Sequence, residues 1–453
     1  MSVSAPSPTR ARPWPLATAA AVCLLSFTAF WVAQRLAHVN MLDVMVYRAE
    51  AETLRAGDDL YAMRATSANL AMTYPPFAAV LFLPLTLVGV PLMRTLTTAG
   101  NLLLVAALVV LSLRLVRPAL SRPGARADLW RSALWIAAVV VWCEPVWTTL
   151  RYGQINLLVA VAVLWDLTRR EGGRGARWAG AGIGLATAVK LTPGLFVVLL
   201  FAAGLLLWRR DRRLNQWLRT ALTATGVFLA VTLATALALP ADSRTFWTRT
   251  LFETGRVGHA EETANQSLSG VLARLLHTDA PGLWWVATAG LLGAAAMALA
   301  VRAAVRGDRA VAVVITAFTA LMISPISWSH HWVWCVPLLI LLYDRATRAW
   351  PVTGAVALAF ASFALWWVPH DPGRPELDQN AGQMLLSAVY PLTALAVFAG
   401  YALTLRRAAR EPRAVVPERT REPARDRRRE PAQAQAEEPS REPAEASQAV
   451  AKE

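Results

Sequence analysis

Long apolar segments recur along the whole chain, and they constrain its fold more than any other feature. About 20 apolar residues in a helix span the hydrocarbon core of a bilayer, and hydrophobic residues fill 56% of these 453 positions. We therefore predict an all-α polytopic membrane protein. About twelve segments are candidate crossings, at residues 14–34, 95–117, 131–149, 154–168, 178–190, 193–208, 219–239, 283–304, 309–325, 331–344, 350–368 and 384–405.

Arginine clusters between these segments predict the topology. The formal net charge of +15 is high enough to raise the question of a nucleic-acid partner. The arginines, however, fall between the apolar segments and in the C-terminal part, which is typical of cytoplasmic loops. We predict no nucleic-acid partner, a cytoplasmic N-terminus at residues 1–13, a membrane domain at 14–405 and a cytoplasmic C-terminus.

Residues 406–453 are predicted to form a disordered, basic cytoplasmic tail. The tetrapeptide Arg-Glu-Pro-Ala recurs at 421–424, 429–432 and 441–444, amid mixed charge and without aromatic residues. Such a segment has too little apolar surface to build a core. Its arginine-rich start is expected to contact the anionic headgroups of membrane lipids.

Residues 76–90 are apolar enough to cross but do not fit this topology. Counting them as a crossing would place the arginines from Arg114 to Arg131 outside the cell. We predict instead a membrane-dipping or interfacial helix, which is allowed where protein covers its backbone.

Polar side chains collect in the segments that this topology places outside. The longest of these outer loops are residues 35–75 and 241–282, whereas the inner loops are short and mostly arginine. We therefore expect any chemistry to face outward.

Lys190 is the one lysine before the C-terminal tail, and it lies inside an apolar segment. A charge at membrane depth is costly, so it is a functional candidate by default. Because Thr192-Pro193 ends the helix just after it, Lys190 could reach the interface from a short helix end. The alternative is a cation that faces a cavity and binds an anionic group such as a phosphate.

Asp43 follows the first crossing and has apolar neighbours. Desolvation can raise the pKa of such a carboxylate toward a value useful for a general base. The alternative is an N-cap for a helix that begins near Val44. The pair Asp58-Asp59 could hold a metal, but Gly57-Asp58-Asp59 is ordinary turn chemistry, which we favour.

His330 and His331 are adjacent at a predicted membrane boundary. They could bind a metal or a phosphate, or transfer a proton. Zinc would need further ligands at suitable spacing, and no carboxylate lies nearby in the sequence, so we predict no metal site. The neighbouring Trp328, Trp332 and Trp334 indicate either an interfacial aromatic belt or a surface that stacks on a sugar or a polyprenyl chain.

The chain has no glycine-rich phosphate loop and no Walker motif. A transferase that acts on the outer face without a nucleotide site needs a donor that is already in the membrane. Lipid-phosphate sugars meet that requirement, and no cofactor is expected.

Several short blocks, in order along residues 40–345, resemble glycosyltransferase family 87, the polyprenyl-phosphate-mannose-dependent mannosyltransferases of the GT-C superfamily. Each block is weak alone, but together they are specific. They are Asp43 with Val46-Tyr47, Gly57 to Tyr61, Tyr74-Pro75-Pro76-Phe77 with Phe82-Leu83-Pro84-Leu85, Gly153-Gln154-Ile155-Asn156, Lys190-Leu191-Thr192-Pro193, Asn265-Gln266-Ser267, and Ser324-Pro325-Ile326-Ser327-Trp328 with His330-His331-Trp332.

The resemblance implies a GT-C fold and transfer of mannose, with inversion, from β-linked polyprenyl-phosphate-mannose to form an α-(1→2) linkage. The implied acceptor is a glycolipid or lipoglycan of an actinobacterial cell envelope, such as a phosphatidylinositol mannoside. Two alternatives remain open. One is transfer of arabinofuranose from polyprenyl-phosphate-arabinose, and the other is a lipid or solute transporter that uses Lys190 and Asp43 as a charge pair.

The resemblance also implies roles for individual residues. Asp43 would be the catalytic base, and Lys190, with Arg151 or one of the catalytic histidines His330 and His331, would hold the departing phosphate. Ser329 departs from the family, because many relatives have an acidic residue there, which leaves the histidines without a carboxylate beside them. The other substrate-binding residues would be Asp59, Tyr61, Tyr74, Gln154, Asn156, Asn265, Gln266, Ser327 and Trp328.

Overall fold

The computed structural model describes residues 15–410, except 123, 170–171, 174, 346–349 and 371–372. The chain divides into two units, residues 1–406 and 407–453, and only 407–410 of the second are described. The described part is helical, which confirms the all-α prediction, and its β contacts are two isolated bridges. The predicted cytoplasmic N-terminus and the tail beyond residue 410 lie outside the described residues.

The α-helices of the described part follow one another through mostly short connections. The last one continues to Arg410, so residues 406–410, expected to begin the disordered tail, are helical. The helices are α1 (Leu16–Leu36), α2 (Leu42–Ala56), α3 (Pro76–Phe82), α4 (Val90–Val116), α5 (Arg126–Val140), α6 (Glu144–Tyr152), α7 (Asn156–Leu167), α8 (Ala181–Val189), α9 (Gly194–Asp211), α10 (Gln216–Ala238), α11 (Pro240–Thr248), α12 (Leu268–Leu275), α13 (Gly282–Val305), α14 (Arg309–Ile323), α15 (Cys335–Arg345), α16 (Trp350–Ala361), α17 (Ala381–Ser387) and α18 (Val389–Arg410).

A helix overlaps each of the twelve predicted crossings, but the helices differ in length. Within the described residues, five are long and apolar enough to span a bilayer unaided, namely α1, α4, α10, α13 and the part of α18 up to Arg407. The bent pair α5 and α6 would make a sixth. Several others, such as α7, have 12 to 15 residues and are too short to cross about 30 Å alone, so the count of twelve stays a prediction.

Burial separates the inner helices from the outer ones. In α14 every side chain from Ala310 to Met322 is buried, and α14 packs against α13 and α9. In α1, by contrast, Leu24 and Leu25 are exposed, as is Leu283 at the start of α13. A helix that is apolar all round is either buried or membrane-embedded. The exposed leucines on the outer helices therefore mark a lipid-facing surface around a buried centre.

Two helix interruptions place polar groups among these apolar helices. The predicted crossing 131–149 is not continuous, because α5 and α6 meet at an angle of 79° across residues 141–143. Pro145 lies in the first turn of α6, where proline is tolerated, and it has no N–H with which to continue the hydrogen bonds of α5. A second interruption separates α8 from α9, where Lys190 adopts an extended backbone. The second interruption borders the site described next, because Lys190 lines its cavity.

Candidate functional site

A cavity of about 660 Å³ lies where α2, the start of α7, the break after α8 and the segment 324–334 meet. Most of the residues singled out in the sequence line it, although they come from distant parts of the chain. Those on its walls are Asp43, Tyr74, Gln154, Asn156, Lys190, Ser327, Trp328, His330 and His331.

Lys190 faces the cavity and does not extend to an interface. Its Nζ donates to Asn156 Oδ1 at 3.0 Å and lies 3.1 Å from His331 Nε2. The same Nζ lies 5.5 Å from the centre of the Tyr74 ring, within cation–π range. Of the two interpretations of this lysine, the geometry is that of a cation on a cavity wall.

In the turn between α6 and α7, the side-chain amide of Gln154 binds the hydroxyl groups of two tyrosines. Gln154 Oε1 accepts hydrogen bonds from Tyr47 Oη at 2.5 Å, Tyr74 Oη at 3.4 Å and the Ile155 backbone N–H at 2.9 Å. The turn needs Gly153, which has a φ of +68° and whose added Cβ would lie 3.0 Å from Val44 Cβ. Glycine therefore lets α2 approach this turn closely.

Asp43 is the second residue of α2, and its side chain does not cap the helix. Its Oδ2 is buried without a hydrogen-bond partner among the described residues. Burial raises the pKa of Asp43 to about 7, against the opposing effects of the Lys190 charge and a hydrogen bond with Gln154. An ionised carboxylate with a free oxygen and a pKa near neutrality fits a general base.

The two histidines have different surroundings. Because an ammonium group has no acceptor, a charged Lys190 donates to His331 Nε2, which places the proton of a neutral imidazole on Nδ1. The His330 carbonyl accepts from Thr149 Oγ1 at 2.7 Å and Asn156 Nδ2 at 3.0 Å. Burial, and then the Lys190 charge, lower the pKa of His330 to about 3. The arrangement therefore favours a neutral His330.

Three expected substrate ligands do not line the cavity. Asp59 Oδ1 accepts from the backbone N–H groups of Tyr61 at 2.8 Å and Ala62 at 3.2 Å, which is turn chemistry. Tyr61 is buried, and its hydroxyl donates to the Tyr74 carbonyl at 2.8 Å. Arg151 is exposed. The structure thus leaves His331, and not Arg151, as the partner of Lys190.

Asn265 and Gln266 are also away from the cavity walls, and their amides bond within the protein. Asn265 Oδ1 accepts from Ser327 N at 2.9 Å, and its Nδ2 donates to the Ala260 carbonyl at 2.8 Å. Gln266 Nε2 donates to the carbonyls of Thr263 and Ser387, both at 2.7 Å. Asn265 thus fixes the outer loop against segment 324–334, and Gln266 fixes it against the end of α17, whereas their role in reading sugar hydroxyls stays a prediction.

A carboxylate does lie beside the histidine segment, although not at position 329. Ser329 Oγ donates to Glu144 Oε1 at 2.7 Å. The same carboxylate accepts from Thr148 Oγ1 at 2.8 Å, Trp366 Nε1 at 3.1 Å and Tyr390 Oη at 2.6 Å. Glu144 therefore ties α6, segment 324–334, the turn at 364–367 and α18 together. Its one sequence signal is a carboxylate in an apolar run.

Replacing Glu144 with alanine should destabilise the protein strongly. Four donors lose their acceptor, three of them buried (Thr148, Ser329 and Tyr390), and each unsatisfied buried donor costs about 1–3 kcal/mol. We expect a clear fall in the midpoint of thermal unfolding, measured in detergent. Glu52→Ala is the control, because Glu52 forms an exposed pair with Arg48 that is worth less than about 1 kcal/mol. Equal midpoints for the two variants would contradict a stabilising role for Glu144.

Two further residues on the cavity wall, Glu50 and Arg256, were not predicted as site residues. Arg256 donates to the Tyr61 carbonyl at 2.6 Å. Glu50 lies seven residues after Asp43 on α2, a spacing that would have placed both on one face of a helix. Among the described residues, no three His, Cys, Asp or Glu side chains are grouped as metal ligands.

Comparison with known proteins adds independent information. The model of glycosyltransferase family 87 matches residues 72–325. That range includes Gln154, Asn156 and Lys190, whereas Asp43 precedes it and His331 follows it.

Two curated relatives are similar over most of the chain. A polyprenol-phosphate-mannose-dependent α-(1-2)-phosphatidylinositol mannoside mannosyltransferase of Mycolicibacterium smegmatis is 35% identical over 380 residues, which is 79% of this chain and 82% of that protein. The corresponding phosphatidylinositol pentamannoside mannosyltransferase of Mycobacterium tuberculosis is 33% identical over 395 residues, covering 83% and 84%.

Among solved structures, that of ArnT from Cupriavidus metallidurans bound to undecaprenyl phosphate is similar over 86% of this chain and 76% of that chain. The TM-score is 0.44 and the sequence identity is 16%. A likeness at this level carries no argument about the fold or the site.

Proposed function

The chain belongs to glycosyltransferase family 87, and from this membership we propose that it transfers mannose from polyprenyl-phosphate-mannose to a phosphatidylinositol mannoside-type glycolipid, forming an α-(1→2) linkage. The relatives that are 33–35% identical over most of the chain carry that activity in their names. The resemblance found in the sequence motifs is thus confirmed at the level of the family, and the enzyme is a membrane glycosyltransferase.

One observation supports this activity above the others. The same cavity presents the Asp43 carboxylate, whose Oδ2 has no hydrogen-bond partner among the described residues, and a cation on Lys190. A glycosyl transfer from a lipid phosphate needs both groups, since a base must take the acceptor's proton and a cation must stabilise the phosphate that departs.

The proposed step uses these groups as follows. The acceptor hydroxyl oxygen attacks the anomeric carbon of mannose and forms the glycosidic bond, while its proton passes to Asp43. The bond between that carbon and the phosphate oxygen breaks, and its electron pair leaves with polyprenyl phosphate. Lys190 stabilises the departing anion through a charge-assisted contact. Attack from the face opposite the phosphate inverts the configuration from β to α.

We further propose a GT-C architecture with twelve crossings, both termini in the cytoplasm and the site on the outer face. The cavity wall supports this orientation, because it includes Glu50 and Tyr74 from the first predicted outer loop and Arg256 and Glu262 from the second. In the part of the chain that the structure describes, no residue of a predicted inner loop lines the cavity. The short apolar stretch Pro76–Leu87 keeps its proposed role as a membrane-dipping helix.

A donor assay tests the proposed function. Purified protein would be given radiolabelled polyprenyl-phosphate-mannose or polyprenyl-phosphate-arabinose, together with extracted envelope glycolipids. We expect a labelled glycolipid from the mannose donor alone, and an α-(1→2)-specific mannosidase should release the label. Transfer from the arabinose donor alone, or none from a folded protein with either donor, would contradict the proposal.

The rate of mannosyl transfer should depend on pH through Asp43. The base acts in its ionised form, and burial raises the pKa of Asp43 to about 7, so kcat/KM should rise as pH passes through about 7 and fall toward tenfold per unit below it. Unfolding midpoints over the same range would exclude acid unfolding as the cause. A profile that stays flat down to about pH 5 would indicate an ordinary aspartate pKa near 4 and would contradict this assignment.

A further inference from the structure

Glu50 is a second carboxylate on the cavity wall that the proposed transfer step does not use. Its side chain is 1% exposed, and its Oε2 is buried without a hydrogen-bond partner among the described residues. Burying a carboxylate without partners is costly. Protonation lowers this cost, and so does a ligand that supplies the missing donors.

The position of Glu50 relative to Asp43 is fixed by α2. Seven residues make about two helical turns, so both side chains lie on the same face, with about 10.5 Å between their Cα atoms along the axis. Both line the cavity. Two carboxylates at this spacing contact different parts of one ligand, and the part near Asp43 is the reacting hydroxyl.

The charges around Glu50 restrict the chemistry of that ligand. Burial, and then the negative charge of Asp43, raise the pKa of Glu50 to about 8. This end of the cavity therefore disfavours an anion such as phosphate, which the positive charge of Lys190 attracts to the other end. Neutral groups that donate hydrogen bonds, above all the hydroxyls of a sugar or cyclitol, fit a lone carboxylate.

We propose that Glu50 binds hydroxyl groups of the acceptor glycan on a ring next to the one that Asp43 deprotonates, so that the enzyme selects acceptors with at least two rings. This inference rests on the proposed mannosyl transfer. It assigns Asp43 and Lys190 to the reacting end of the cavity and Glu50 to recognition of the acceptor.

The test compares two soluble acceptors, octyl α-mannoside with one sugar ring and octyl α-mannobioside with two. Initial rates would be measured for the wild type and Glu50→Gln, with each acceptor varied at saturating polyprenyl-phosphate-mannose, and with the donor varied in turn. The wild type should have a KM for the two-ring acceptor about tenfold or more below that for the one-ring acceptor, because hydroxyls that donate to Glu50 favour its ionised form and hydrogen bonds to a charged group are among the stronger ones.

In Glu50→Gln the two acceptors should have equal KM values within about twofold, while the donor KM and the one-ring kcat stay near wild type. Glu52→Gln is the matched control, since Glu52 is on the same helix but is exposed and paired with Arg48. A two-ring preference that survives in Glu50→Gln, or a change confined to the donor KM, would overturn the inference. A loss of activity restored by excess divalent cation would do so as well, by indicating a metal site.

Direct binding separates this inference from the proposed function. Calorimetry with octyl α-mannobioside and donor-free protein requires no turnover. The wild type should bind the glycoside, and Glu50→Gln should bind it at least tenfold more weakly. This result would assign glycan recognition to Glu50 even if the donor assay detected no mannosyl transfer, in which case only the proposed function would fail. Equal binding by the two proteins would overturn the assignment of Glu50.

Discussion

Asp43→Asn should lower kcat/KM for mannosyl transfer by about 10²–10⁴-fold, the usual contribution of a general base. Asparagine keeps the size of the side chain but cannot take up the acceptor's proton. Because the replaced carboxylate is buried and has an unpartnered oxygen, the change should leave the unfolding midpoint equal or slightly higher. Initial rates and thermal unfolding of the same purified sample would measure both effects.

Asp59→Asn is the matched control for this variant. Asp59 lies on the same outer segment, but its carboxylate caps a turn and does not line the cavity. We expect its transfer rate to stay within a few-fold of the wild type. If Asp43→Asn retained wild-type turnover, the base would have to be another group.

Lys190→Met should lower kcat/KM by about 10²–10³-fold, comparable with the loss of one preorganised donor to a developing anion. Methionine fills a similar volume without the positive charge that faces the cavity beside Asn156 and His331. Since we propose that Lys190 contacts phosphate both in the bound donor and in the departing group, the donor KM should rise while the acceptor KM changes little.

Lys190→Arg and Arg151→Met complete this experiment. Arginine keeps the charge but not the compact shape of the ammonium group, so Lys190→Arg should recover only part of the rate. Arg151 is exposed and does not line the cavity, so Arg151→Met should behave like the wild type. Full activity in Lys190→Met, or a loss in Arg151→Met as large as in Lys190→Met, would contradict the assignment of the phosphate to Lys190.

The membrane fold could be largely predicted because its signals are local. Apolar segments predicted a helix at each of twelve places, and a helix overlaps each one. The bend between α5 and α6 was missed, although Pro145 marks it, because averaging hydropathy over a window hides a short break in a helix. Whether the shorter helices cross the membrane depends on how they pack within it, and no local sequence pattern encodes that packing.

The site could be predicted where the charge or polarity of a residue differs from that of its neighbours in the sequence. Lys190 is a charge in an apolar run, and the structure places it on a cavity wall. Asn265 and Gln266 do not line the cavity, and this position could not be predicted, because a buried amide that bonds to the backbone and one that binds a sugar look alike in sequence. Their true partners are determined by tertiary packing.

Glu144 shows the same limit across a longer distance. Its contact with Ser329 joins positions 185 residues apart, and nothing in the sequence near either residue indicates the other. The departure from the family at Ser329 therefore suggested a missing carboxylate, whereas the fold supplies one from α6. Glu50 could have been identified from the sequence, because its spacing from Asp43 on one helix can be read there.

The central claim is that the cavity between Asp43 and Lys190 is where polyprenyl-phosphate-mannose is cleaved. A cryo-electron microscopy structure of Asp43→Asn with that donor bound tests it most directly, because the variant should bind the donor without consuming it. We expect phosphate density within hydrogen-bond distance of Lys190 Nζ and the anomeric carbon facing position 43. Phosphate bound at another wall of the cavity, such as that of Arg256, with Lys190 still held only by Asn156 and His331, would contradict it.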